Sequence, residues 1–244
     1  MANTKFGIIR KQPNPPSLSN LKVWVKANVG VTLNGTKVTT WADQSGNNNN
    51  LVNTSPRAGH TSSQPSLTTN SVNGLPSIYF GGTSATKFLS CNDVSLTSGA
   101  TILFVYKAPT QFNNIHTPIS TNSTSTGTNN STKDLYLEYS TGVYSGNGSF
   151  TIPSDNGTSF RIMTITDAGT TTAISAYKNG SILGGSATSQ GYSFGRLGAS
   201  PAGINYSTSN QDYYIAEVLV YNTKLSNIDR QSAESYLNTK YAIY

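Results

Sequence analysis

Residues 213–221 read Tyr-Tyr-Ile-Ala-Glu-Val-Leu-Val-Tyr, and this stretch decides the fold. Branched and aromatic side chains follow one another with a single charge, Glu217, among them. Such a run fits a pleated, packed surface better than a helix. Downstream, Ser226 to Tyr241 has the marks of one helix. Ser226 can cap it, Asp229 follows three residues on as an acidic variant of the capping box, and Ile228, Ala233, Tyr236 and Leu237 recur at helical spacing. Those four are expected to face the rest of the protein.

Upstream, strand and turn signals alternate back to Leu21. Ala100–Lys107 is apolar on both alternating faces, as in a central strand covered on two sides. Further strands are expected at 21–27, 38–41, 77–80, 135–139, 160–166, 171–177 and 181–183. Asn34-Gly35, Asn73-Gly74 and Asn179-Gly180 mark tight turns, because Asn and Gly accept positive φ. Residues 117–133 are nearly all Ser, Thr, Asn and Gly and read as a long exposed loop. The pattern predicts one antiparallel, all-β sandwich over 21–244 with one C-terminal helix. Trp24, Leu103, Val105, Ile162, Ile215 and Leu219 are expected between its two sheets.

Composition limits the function. Only 11% of residues are charged and 35% are hydrophobic, with 14 Tyr and 8 Phe. That mix suits sheets with polar, thinly charged faces rather than disorder. The net charge of +6 reflects scarce acids, and only Arg10-Lys11 places two basic residues side by side. Nucleic-acid footprints cluster their charge, so no nucleic-acid partner is expected. No apolar run approaches the ~20 residues needed to span a bilayer, so no membrane insertion is expected. The first residues lack the apolar core of a secretion signal. Asn-x-Ser/Thr sites at Asn34, Asn122, Asn156 and Asn179 therefore follow from composition. Cys91 is the single cysteine, so no intrachain disulfide forms.

Residues 1–20 read as a separate extended arm. Pro13, Pro15 and Pro16 stiffen it, and Phe6, Ile8, Ile9 and Arg10 are candidate assembly residues that could dock on a neighbouring subunit.

Several ordered segments carry a resemblance. Trp41-Ala42-Asp43-Gln44-Ser45-Gly46-Asn47, Asn73-Gly74-Leu75-Pro76-Ser77-Ile78-Tyr79-Phe80-Gly81-Gly82 and Tyr177-Lys178-Asn179-Gly180 come first. Leu197-Gly198, Ile215–Tyr221 with Leu225-Ser226, and Tyr236-Leu237 with Lys240-Tyr241 follow. Together they resemble the LamG-like domains of the concanavalin A-like lectin–glucanase superfamily. The resemblance covers 21–244 and implies that the sandwich is a concanavalin A-like jelly roll. It implies little about activity, since that fold hosts lectins, adhesion modules, hydrolases and virion proteins.

The candidate chemistry is sparse. Glycosidases need two carboxyls flanking a bond, and glucanases of this fold place them on one strand as E-x-D-x-E. Glu138 and Glu217 each lack an acidic partner at two-residue spacing, and a hydrogen-bonding role is preferred for Glu217. His60 and His116 sit in polar sequence without metal-ligand spacing. Cys91 reads as a small packed thiol. Asp43 and Asn47 are the calcium candidate, within a run of oxygen donors from 43 to 50, and Asp212 is a weaker one. The competing reading is that Asp43 and Ser45 fix a turn, and few carboxylates are present to neutralise an ion. Tyr139, Tyr144, Tyr192, Tyr206 and Tyr213 are candidate sugar-facing aromatics.

Three functions compete. The leading one is a non-enzymatic virion protein of a bacteriophage, made in the host cytoplasm. It would serve as capsid decoration or fibre, pairing with other virion subunits or itself as a homo-oligomer and reaching a cell-surface glycan. The second is a carbohydrate-binding module or adhesin, extracellular or at a cell surface. The third is a glycan-active enzyme. No cofactor other than calcium is expected.

Overall fold

The computed structural model describes residues 14–16, 19–53, 64–81, 87–96, 98–107, 115–120, 135–138, 142–145, 148–150, 159–169, 174–184, 192–198 and 213–244. The assembly candidates Phe6, Ile8, Ile9 and Arg10 lie outside them, as do His60, Tyr139, Tyr206 and Asp212. In chain order the strands are β1 (Leu21–Lys26), β2 (Val31–Asn34), β3 (Lys37–Trp41), β4 (Leu51–Val52), β5 (Ser66–Val72), β6 (Leu75–Tyr79), β7 (Phe88–Leu96) and β8 (Ala100–Lys107). Next come β9 (Ile115–Ser120), β10 (Leu135–Glu138), β11 (Gly142–Ser145), β12 (Gly148–Phe150), β13 (Arg161–Asp167), β14 (Ser175–Lys178), β15 (Ser181–Gly184), β16 (Tyr192–Gly198) and β17 (Tyr214–Tyr221). Among the described residues there is one helix, α1 (Asn227–Tyr241), after β17.

Every strand pairing among the described residues is antiparallel. One layer runs β1–β17–β8–β13–β14–β15. The other runs β4–β7–β16–β9–β10–β11–β12. The β5–β6 hairpin ties them, since β6 pairs with the first residues of β17 and β5 touches β3. The result is an all-β sandwich of jelly-roll kind. Two of the three expected turns form as both-positive two-residue hairpin turns, Asn73 (φ 46°) with Gly74 (φ 82°) and Asn179 (φ 50°) with Gly180 (φ 80°), whereas at the third Asn34 ends β2 and Gly35 (φ 61°) alone of the pair is positive. The loop expected from 117 differs, because β9 extends to Ser120 and pairs with β10 and β16.

The core has two layers, which corrects the expected core list. Val23, Val25, Ile78, Phe104, Met163, Phe194, Leu197, Ile215, Val218 and Val220 fill the space between the sheets. Trp24, Leu103, Val105, Ile162 and Leu219 are buried, but on the opposite face, beneath α1 with Leu237 and Tyr241. Of the six residues expected between the sheets, Ile215 alone is there. Side chains alternate along a strand, so β8 feeds both layers. In β17 a register shift between Ile215 and Glu217 inserts one extra residue. That bulge keeps Ile215 inward while Ala216 and Glu217 both serve the helix layer.

The helix starts as expected. Ser226 accepts a bond from the Asp229 N–H at 3.1 Å and its hydroxyl donates to Asp229 Oδ2 at 2.7 Å. Ala233, Tyr236 and Leu237 are buried, but Ile228 is 79% exposed. Nine residues at about 100° each place Ile228 opposite Leu237. Arg230 takes the buried position instead. Its guanidinium lies 3.8 Å from the Tyr177 ring centre and pairs with Glu234 at 2.5 Å. Glu234 also accepts from Thr164 Oγ1 at 2.8 Å. At the other end Ala242 adopts a left-handed cap, and the Asn73 side chain donates to the carbonyls of Tyr241 and Ala242.

Candidate binding surfaces and the buried polar sites that shape them

Glu217 is wholly buried where β17 meets α1. One carboxylate oxygen accepts from Trp24 Nε1 at 2.6 Å and the Tyr236 hydroxyl at 2.5 Å. The other accepts from Lys240 Nζ at 2.6 Å and the Tyr241 hydroxyl at 2.9 Å. Four donors fill about four lone-pair sites. This carboxylate clamps the helix to the sheet. Glu234, in α1, is likewise buried and held by Arg230 and Thr164.

The clamp extends outward. Lys240 also donates to Asn28 Oδ1 at 3.1 Å. Lys26 lies with its ammonium 3.8 Å from the Trp24 ring centre, and its pKa is lowered by burial, then by Lys240, against an opposing pull from Glu217. Asn28 lines an open cavity of about 500 Å³ between the β1–β2 connection and the β5–β6 hairpin. Its other walls include Val29, Leu67, Thr69, Asn70 and Pro76. Asn28 thus joins the clamp to the cavity wall. Amide, hydroxyl and apolar wall groups suit a neutral polyhydroxyl ligand. Gly30 has φ +74°, and a Cβ there would lie 2.8 Å from Gln44 Nε2, so glycine lets the rim pack on the next loop.

That next loop contains the calcium candidate Asp43. Asp43 Oδ1 accepts from the backbone N–H of Trp24 and of Ser45, each at 2.9 Å. Oδ2 accepts from Ser45 Oγ at 2.8 Å and the Asn49 N–H at 3.0 Å. Asn47 donates to the Leu21 carbonyl at 2.9 Å, and Asn49 to the Lys22 carbonyl at 2.8 Å. Gln44 N–H meets the Trp24 carbonyl at 2.6 Å. The loop therefore covers the outer edge of β1, whose groups would otherwise be an open sheet edge. A cation at Asp43 would compete with these donors for the carboxylate. Among the described residues no group of three His, Cys, Asp or Glu side chains is placed to hold a metal. Asp43→Ala is expected to lose about 2–4 kcal/mol, because it orphans several N–H groups including that of Trp24. Thermal unfolding checks it, and repeating the scan with a chelator shows whether an ion shares the carboxylate.

Other candidates are placed as follows. Cys91 is buried and its thiol is pushed up to about 12, chiefly by burial. Glu138, His116, Tyr144 and Tyr192 lie in β10, β9, β11 and β16. Tyr213 is 1% exposed and stacks on Phe80 at 5.5 Å, so it is a core ring and not a sugar-facing one. Sequence reading missed its neighbour Tyr214 and its cross-strand partner Tyr79, both half-buried.

Burial raises the pKa of Tyr213, Tyr221, Tyr236 and Tyr241, and the Glu217 charge adds to it in the last three. Groups raised in the folded state contribute stability that is complete below the ordinary tyrosine value of about 10 and lost as pH climbs past it. An alkaline titration followed by phenolate absorbance should show these four ionising only with unfolding, after the exposed tyrosines. A single smooth phase without unfolding would contradict this.

No family model matches this chain, and no curated protein does. Solved structures do. The binding domain of Paraclostridial Mosquitocidal Protein 1 aligns over 91% of this chain and 52% of its own, at 14% identity and a TM-score of 0.59. The botulinum neurotoxin serotype D binding domain aligns over 90% and 51%, at 13% and 0.56. Trypanosoma rangeli sialidase aligns over 91% and 33%, at 11% and 0.58. The chain thus spans about half, or a third, of the structures it resembles. Identities this low show a shared β-sandwich and nothing of activity.

Proposed function

We propose that this chain is a non-enzymatic, lectin-like binding module for carbohydrate. The observation that carries the reading is the contrast between its acids and its cavity. Glu217 and Glu234 are buried and engaged by structural partners, whereas the open cavity is walled by Asn28, Thr69, Asn70 and apolar side chains. Such a surface can hold sugar hydroxyls without the paired carboxyls that glycoside cleavage needs. Toxin binding domains among the structural neighbours support a binding role, and the sialidase is the counterweight.

On the finer reading the module belongs to the LamG-like group and sits on a virion exterior. There residues 1–20, through Phe6, Ile8, Ile9 and Arg10, join it to sister subunits. The thinly charged, Ser/Thr/Asn-rich composition supports that setting. Stoichiometric co-purification with a particle tests the setting separately.

A glycan array tests the function. At least one neutral glycan class should be retained, and Thr69→Trp, which fills the cavity, should weaken it about ten-fold or more. Reducing-end release from any retained glycan, or a blank array, would sink the proposal.

A further inference from the structure

Three half-buried rings converge where β6, β17 and β8 meet. Tyr79 and Tyr214 are register partners, with ring centres 4.7 Å apart and planes 31° from parallel. Phe160 meets Tyr214 edge-on at 6.5 Å. Lys107, opposite Tyr214 in β8, holds its ammonium 4.4 Å from the Tyr214 ring centre and 5.2 Å from that of Phe160. Lys87 lies 5.2 Å from the Tyr79 ring centre and donates to the Gly81 carbonyl. A Cβ on Gly81 would come within 2.4 Å of the Tyr79 ring, so that ring rests against bare main chain.

Strand alternation explains why these groups share one surface. Lys107 follows Val105 by two residues, Phe160 precedes Ile162 by two, and Tyr214 precedes Ala216 by two. Val105, Ile162 and Ala216 all belong to the layer beneath α1. The inner residues are buried by the helix, whereas Lys107, Phe160, Tyr214 and Tyr79 keep partial exposure.

We propose that this patch is a second binding surface, for acidic oligosaccharides. A sugar ring presents a C–H face that stacks on tyrosine, and a sugar acid adds a carboxylate for Lys107 and Lys87. Ammonium groups seated on rings are partly desolvated, which strengthens their attraction for an incoming anion. The net charge of +6 draws acidic chains toward the protein at low salt. A neutral sugar would use the rings and waste the lysines. An acidic peptide would use the lysines and lack the rigid C–H face. The inference rests on the carbohydrate-binding reading and narrows it to carboxylate-bearing sugars at this patch.

Calorimetry with a galacturonic acid oligomer and its fully methyl-esterified form tests it, since the ester keeps the backbone and removes the charge. The acid should bind about ten-fold or more tightly than the ester, and added salt should weaken it. Lys107→Gln and Tyr214→Ala should each lose about ten-fold, Lys107→Arg should retain most binding, and the cavity variant Thr69→Trp should bind normally. Lys107→Gln should melt as the parent does, so its loss of binding is not unfolding. Equal binding of acid and ester, unchanged binding by Lys107→Gln, or equal binding of a glutamate peptide of the same length would overturn the proposal. If neutral glycans bind while the acid oligomer does not, this patch fails alone. If neither binds, the carbohydrate reading fails with it.

Discussion

Glu217→Ala should destabilise the protein by about 3–5 kcal/mol, which for a chain this long lowers the melting temperature by roughly 6–20 °C. Lys240 and Glu217 are both almost fully buried, with side chains 2% and 0% exposed. Removing the acid leaves an ammonium in a dry site, orphans the Trp24 indole N–H and the Tyr236 hydroxyl, and leaves the Tyr241 hydroxyl only the Ala216 carbonyl at 3.4 Å. Glu217→Gln should cost nearly as much, since an amide fills the space but cannot neutralise Lys240. Adding Lys240→Met to Glu217→Gln should recover a good part of the loss by removing the stranded charge. Thermal or denaturant unfolding measures all three. A Glu217→Ala protein within about 1 kcal/mol of the parent would show that the clamp is not a major source of stability.

That clamp also shows what the sequence reveals. One acid within an apolar strand must find partners, so the hydrogen-bonding role of Glu217 was readable from Tyr213–Tyr221 alone. Its partners were not, because Trp24 is 193 residues distant along the chain. The tight turns at Asn73-Gly74 and Asn179-Gly180 were legible because positive φ is a local demand. The two core layers were not. In β8, Ile102 and Phe104 face one layer while Leu103 and Val105 face the other, and apolar residues on both sides give parity nothing to choose by. The Ala216 bulge then reverses the parity of β17 between Ile215 and Glu217, and moves Tyr213 inward where Tyr214 is outward. On the helix, Ile228 looked like core, and Arg230 is buried there instead. The exchange became visible only once Tyr177, Glu234 and Thr164 were placed around the guanidinium. The cavity was illegible for a similar reason, since its walls come from 27–31 and 67–76 and meet only through β5, β6 and β17.

Gly198→Ala should be the most damaging single-atom addition in the second sheet. Gly198 ends β16 opposite Phe88 in β7, with φ +108°. A Cβ there would sit 2.3 Å from the Lys87 carbonyl oxygen, 2.7 Å from Phe88 Cα and 3.0 Å from the Phe80 ring. Two of those neighbours are backbone and cannot swing aside. Backbone strain and overpacking together amount to roughly 2–6 kcal/mol. Gly35→Ala is the matched comparison. Its φ is +61° in the β2–β3 turn, and nothing lies within 4 Å of the added carbon, so it carries the conformational term without the collision. It should cost roughly 1–2 kcal/mol. The difference between the two unfolding free energies isolates the close approach of β16 to β7. Because Phe80 stacks on Tyr213, which precedes Tyr214, Gly198→Ala should also disturb the Tyr79–Tyr214 patch. A well-folded Gly198→Ala protein no less stable than Gly35→Ala would mean that the two strands can separate at little cost, and that the tight contact there is not required by the fold.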